Sequence, residues 1–122
     1  MREDTDIGPK MTENERGKVE ALVAEAVSDG AHVALVGGRP NNPPTPNGFC
    51  YAPTVLTHVR PEMDTMRKEI FGPVVPVLQF ERFSDAVAIS NRSRYGLSAY
   101  LFTRTCSGSC ARCGTSTLAS FT

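Results

Sequence analysis

The chain has 122 residues, and its 13 Lys and Arg balance 13 Asp and Glu, giving zero formal net charge and a pI near 6.7. That balance excludes the basic excess a nucleic-acid or anionic-membrane surface needs, and 40% hydrophobic with 21% charged residues is the composition of a folded chain. No apolar run approaches the roughly 20 residues of a membrane helix, and the start MREDTDIGPK lacks the apolar core of a secretory signal, so a cytoplasmic location is expected.

Thr12 followed three residues later by Glu15 forms a capping box that predicts a helix start. Val19, Leu22, Val23, Ala26 and Val27 then recur at helical spacing as one apolar stripe. Gly30 is placed to end this helix in a left-handed turn. Residues 33–36 are a short apolar run stopped by Gly37 and Gly38, which reads as a buried strand. Residues 39–48 carry Pro40, Pro43, Pro44 and Pro46 and are expected to form a surface loop. Residues 49–57 read as extended, with Pro53 demoting them to an edge or irregular strand.

Residues 61–67 suit a short helix, and residues 74–80 form a second apolar run containing Pro76. Ser84 is placed as the N-cap of a helix that passes Ala86, Val87 and Ile89 to reach Asn91. A third apolar run, residues 97–102, follows Gly96. This order predicts an α/β fold with a partly parallel sheet.

Candidate chemistry is sparse by residue type. His32 and His58 have no spaced ligand partners and are expected to be exposed, and Glu62 with Asp64 reads as a solvated helix face. Arg92, Arg94 and Arg104 are too scattered for a phosphate site. Cys50 reads as a packed strand residue, since free cysteine is commonly buried. No metal ligands are assigned.

The most specific stretch is Lys68-Glu69-Ile70-Phe71-Gly72-Pro73-Val74. It resembles the E-x-F-G-P-V signature of the NAD(P)-dependent aldehyde dehydrogenase superfamily. Asp6-Ile7-Gly8-Pro9 resembles the family's D-I-G-P before a helix, and Gly30-Ala31 with Gly37-Gly38 its G-A…G-G. Residues 48–56 match G-x-x-x-x-P-T-V-L, and Asn91 with residues 95–99 matches N…Y-G-L-S-A. These segments cover residues 4–104 in the family's order.

The resemblance implies part of the family's α/β catalytic domain, derived from an enzyme that oxidises an aldehyde to a carboxylic acid with NAD or NADP. Glu69 corresponds to the glutamate that accepts hydrogen bonds from the nicotinamide-ribose hydroxyls, and Phe71 to the aromatic residue beside the nicotinamide ring. Gly72 and Pro73 shape the turn that presents them. The family's nucleophile in its G-Q-x-C context, its general-base glutamate and its nucleotide-binding domain are expected to lie upstream of Met1, so no catalytic residue is expected within this chain. Cofactor is therefore expected to bind this chain weakly, and the chain alone to be inactive, of low stability and prone to aggregate. The family is homo-oligomeric. A second reading is a non-catalytic interaction protein that docks on a full-length relative.

The tail, residues 105–122, is unlike the rest. Eight of its 18 residues are Ser or Thr, three are Cys, and none is Asp, Glu, Val or Ile. Cys106, Cys110 and Cys113 have the C-x₃-C-x₂-C spacing of radical-SAM iron–sulfur sites, and the C-x-x-C half suits zinc. A metal-binding tail is the third reading, but only nine residues follow Cys113 and no His lies nearby. A one-base shift of the coding frame near Arg104 can restore Leu and Val at helical spacing, because Cys codons reappear as Leu or Val. The shifted string resembles the helix that family members carry after Y-G-L-S-A. The tail is therefore read as a frameshift product outside the family domain and without expected structure.

Overall fold

Backbone caps define the first helix, α1 (Glu13–Ser28), in a computed structural model that describes residues 7–35, 37–40, 48–96, 100 and 102. Thr12 sits in extended conformation, and its hydroxyl accepts from the Glu15 amide at 3.2 Å, as the capping box predicts. At the far end, Gly30 has φ +99°, where a Cβ is disfavoured. The Ala31 amide reaches the Ala26 carbonyl at 2.9 Å and the Gly30 amide the Val27 carbonyl at 3.0 Å. This pair of bonds is a Schellman cap, and it buries Ala31 beside Ala26.

Two compact units divide the chain, Met1–Leu78 and Gln79–Thr122. In the first, the order is α1, β1 (His32–Leu35), β2 (Thr54–Thr57), α2 (Asp64–Arg67) and β3 (Val74–Pro76). The sheet runs β1-β2-β3, with β1 antiparallel and β3 parallel to β2. This is the partly parallel α/β arrangement the sequence predicts. The parallel step from β2 to β3 requires a crossover, and α2 lies on it. In the second unit, α3 (Phe83–Asn91) has no fully buried residue.

The core of the first unit joins Val19, Val23 and Ala26 of α1 to Leu56, Val59, Met63 and Val74. Leu56, on the central strand, is fully buried. On α1 the apolar stripe is buried at Val19, Val23 and Ala26, whereas Val27 is exposed. Arg16 takes the buried place one turn before Val19, at 4% exposure. Its guanidinium is held by Glu13 and, at 3.1 Å, by Glu20. Arg39 approaches the same two carboxylates at 3.9 and 3.6 Å.

Several sequence expectations are corrected. The strand read as buried is exposed at every residue of β1, because among the described residues β1 is the outer strand and is paired on one side alone, by β2. The strand read as an edge, β2, is central instead: Pro53 lies just before the first paired residue, so its missing N–H interrupts nothing. Arg82, not Ser84, is the N-cap of α3, and Ser84 sits within the first turn. Arg82 offers the first helix amides no side-chain acceptor; its guanidinium instead grips Asp85 at 3.2 and 3.1 Å. This contact holds the Asp85 carboxyl below its ordinary pKa. The third apolar run and most of the proline-rich loop lie outside the described residues. Among the described residues, no helix is long and apolar enough to cross a membrane.

Candidate functional site

The loop between α2 and β3 carries Glu69 and Phe71. It leaves α2 through Lys68, whose amide donates to the Asp64 carbonyl at 2.8 Å and whose ammonium pairs with the Asp64 carboxylate. That hydrogen bond raises the Lys68 pKa above its ordinary value. Two tight turns follow. The Gly72 amide donates to the Ile70 carbonyl at 2.9 Å, and the Val74 amide to the Gly72 carbonyl at 2.9 Å. Each spans three residues, and Pro73 at the centre of the second presets its φ.

Gly72 lies hard against α1. A Cβ built on it would stand 2.8 Å from one methyl of Val19 and 3.2 Å from the other. Only a residue without a side chain allows this approach, and it seats the loop on the helix. Glu69 is exposed, and Phe71 retains 74% of its surface in solvent. Both line one cavity of about 160 Å³ with Lys10 and with Glu15, Lys18, Val19 and Leu22 of α1. Its lining combines apolar Val19, Leu22 and Phe71 with two carboxylates and two ammonium groups.

Lys10 closes the cavity from a third direction. Its ammonium donates to the Phe71 carbonyl and lies 4.5 Å from the centroid of the Phe71 ring. Sequence reasoning placed Glu69 and Phe71 together and the structure gives them a common cavity, but it missed Lys10 and the α1 wall. Sixty-one positions separate Lys10 from Phe71, and no local pattern announces a contact of that range.

The remaining candidates lie elsewhere. His32 and His58 are exposed as expected, yet their rings meet edge to face at 6.2 Å and 84°, so they are not isolated from each other. His58 adopts φ +56°. Cys50 is a free thiol of intermediate burial outside any strand, next to the isolated bridge between Phe49 and Lys10. It is thus less packed than a strand interior would make it. Asp64 is paired with Lys68, and Glu62 belongs to the turn before α2 rather than to a helix face. Arg92 and Arg94 are exposed, while Arg104 and the three tail cysteines lie outside the described residues.

Comparison with known proteins gives a consistent result. The profile of the aldehyde dehydrogenase family matches residues 1–113. A 3,6-anhydro-alpha-L-galactose dehydrogenase of Streptomyces coelicolor is 47% identical over 98 residues, covering 80% of this chain and 20% of the relative. A 3-sulfolactaldehyde dehydrogenase of Priestia aryabhattai is 42% identical over 103 residues, covering 84% of this chain and 20% of the relative. Among solved structures, a 3,6-anhydro-L-galactose dehydrogenase in complex with NAP superposes with a TM-score of 0.88 at 37% identity, over 94% of this chain and 24% of that one. The lactaldehyde dehydrogenase of Escherichia coli superposes at 0.84 and 36% identity, over 93% and 23%. The chain spans about a fifth of the length of the curated relatives it matches.

Proposed function

Because the chain belongs to the aldehyde dehydrogenase family, we propose that its loop between α2 and β3 serves the NAD(P)-dependent oxidation of an aldehyde to a carboxylic acid, with Glu69 and Phe71 contacting the nicotinamide riboside of the cofactor. The observation that carries this reading is the shared cavity: a carboxylate and an aromatic ring, two positions apart, line one cleft together with apolar Val19 and Leu22. Those residues fit the group. The two oxygens of Glu69 suit two adjacent ribose hydroxyls, and the exposed ring of Phe71 suits a planar heterocycle. Lys10 and Lys18 add positive charge near a phosphate-bearing ligand. The bound cofactor would supply the hydride acceptor; the chain's own residues bind and orient it.

The names of the relatives, which act on 3,6-anhydro-L-galactose, 3-sulfolactaldehyde and lactaldehyde, make small oxygenated aldehydes the substrate class of this reading. Cys50 does not serve as nucleophile in it. Its Gly-Phe-Cys-Tyr context differs from the family's G-Q-x-C, and it is not among the residues lining the cavity. In this reading the 122-residue chain alone is expected to be inactive.

The test has two arms. Purified chain given lactaldehyde with NAD⁺ or NADP⁺ is expected to produce no NAD(P)H, and turnover would overturn the inactivity. In an NMR titration with NAD⁺, the amides of residues 69–72 should shift, and Glu69→Gln should weaken binding by about tenfold, the effect of losing one charge-assisted hydrogen bond. Binding that Glu69→Gln leaves unchanged rejects the assignment.

A further inference from the structure

Lys10 stands on a fixed root. Its amide donates to the Phe49 carbonyl at 3.0 Å in an isolated antiparallel bridge, and the side chain is half-buried. From there one ammonium makes two contacts with a single distant residue, a hydrogen bond to the Phe71 carbonyl and a cation–π contact 4.5 Å from its ring centroid. Phe71 has need of both. It lies outside β3, between α2 and the strand, with 74% of its surface exposed, so little else restrains its ring. Gly72, the next residue, lies against Val19, which fixes the backbone beyond Phe71 but not its side chain.

We propose that Lys10 is a positioning residue for Phe71: its ammonium occupies one face of the ring and ties down the carbonyl, so that the ring is held at the cavity, ready for a nicotinamide nucleotide. This inference rests on the cofactor reading given above. A lysine suits the task because it combines a donor with a full positive charge, which a methionine of similar length lacks. Arginine shares both properties, and therefore serves as the conservative replacement.

The experiment uses the isotope-labelled 122-residue chain, with Lys10→Met and Lys10→Arg variants, and two readouts. The first needs no nucleotide. Phe71 ring resonances should be dispersed, with cross-relaxation to the Lys10 ε-methylene in the wild type. They should collapse toward free-phenylalanine values in Lys10→Met and recover in Lys10→Arg, while α1 and β2 signals stay in place. The second is titration with NAD⁺. Lys10→Met should weaken binding about 3- to 10-fold, and Lys10→Arg should restore it.

Ring signals unchanged in Lys10→Met overturn the proposal, as does NAD⁺ binding that the substitution leaves unaltered. Loss of α1 and β2 signals in Lys10→Met would transfer the decision to Lys10→Arg, where failure to reproduce the wild-type ring signals counts against the proposal. Should the ring respond to Lys10→Met in a chain that takes up no NAD⁺, the Lys10–Phe71 link stands and the nucleotide reading falls.

Discussion

Tyr51 is the one buried phenol in the first unit, and its surroundings set a pH limit on the fold. Burial raises its pKa above the ordinary value, an effect to which Glu20 adds and which hydrogen bonds with Thr54 and the Gly38 backbone partly offset. The folded chain therefore holds the phenolic proton more tightly than the unfolded chain, whose tyrosines titrate near pH 10. Between those two values the unfolded state has lost a proton that the folded state keeps. Stability is thus fully present below about pH 10 and falls as pH rises through the folded pKa. The Lys68 ammonium, raised by Asp64, works in the same direction but from an exposed position. Tyr51→Phe isolates the phenol. It should cost about 1 kcal/mol at neutral pH through lost hydrogen bonding, yet lose less stability than the wild type on going to alkaline pH. Phenolate absorbance should likewise lose a step lying above the ordinary tyrosine value. Parallel decline of wild type and variant in urea unfolding would refute this.

Elements show where sequence is a sufficient guide. Both ends of α1 were legible because capping is a local code: Thr12 and Glu15 are three apart, and Gly30 is needed where φ is +99°. Burial in β1 was not legible. Its apolar residues would suit a core, but exposure depends on which strand lies beside it, and that is settled by residues 54–57. Pro53 misled for a similar reason, since its effect depends on whether pairing begins before or after it. Within the candidate site, the E-x-F-G-P pattern singled out Glu69 and Phe71, which line one cavity, whereas Lys10 reaches Phe71 only through the fold. The seating of the loop on α1 is the element-level feature most open to test. Gly72→Ala would drive a methyl to 2.8 Å from a side chain that is 2% exposed and stiff at χ1. It should destabilise the first unit by about 1–3 kcal/mol, read from hydrogen exchange of β2 amides. Val19→Ala should remove most of that penalty when combined with it, although alone it costs stability by opening a cavity. Additive losses in the double variant would show that the two residues do not meet.

At the scale of the molecule, the sheet presents an apolar face that the described residues leave in solvent. Leu35, Val55 and Val75 are register partners across β1, β2 and β3, so their side chains project on the same side. Leu35 is 51% and Val75 57% exposed, and Val77, two residues beyond Val75, is also exposed. β1 ends the sheet among the described residues, and a strand in that place offers unpaired backbone groups to a second chain. An apolar face beside an open edge favours association, because covering both removes apolar surface from water and completes backbone hydrogen bonds at once. The zero net charge offers no long-range repulsion to oppose it. The 122-residue chain is therefore expected to associate as its concentration rises, with sedimentation velocity as the measure. Leu35→Lys with Val75→Lys should return it to monomer, since two ammonium groups on that face would have to be desolvated on contact. The same double variant should leave the Glu69–Phe71 cavity untouched, as neither residue lines it. Association that persists undiminished in the double variant would mean that another surface carries it.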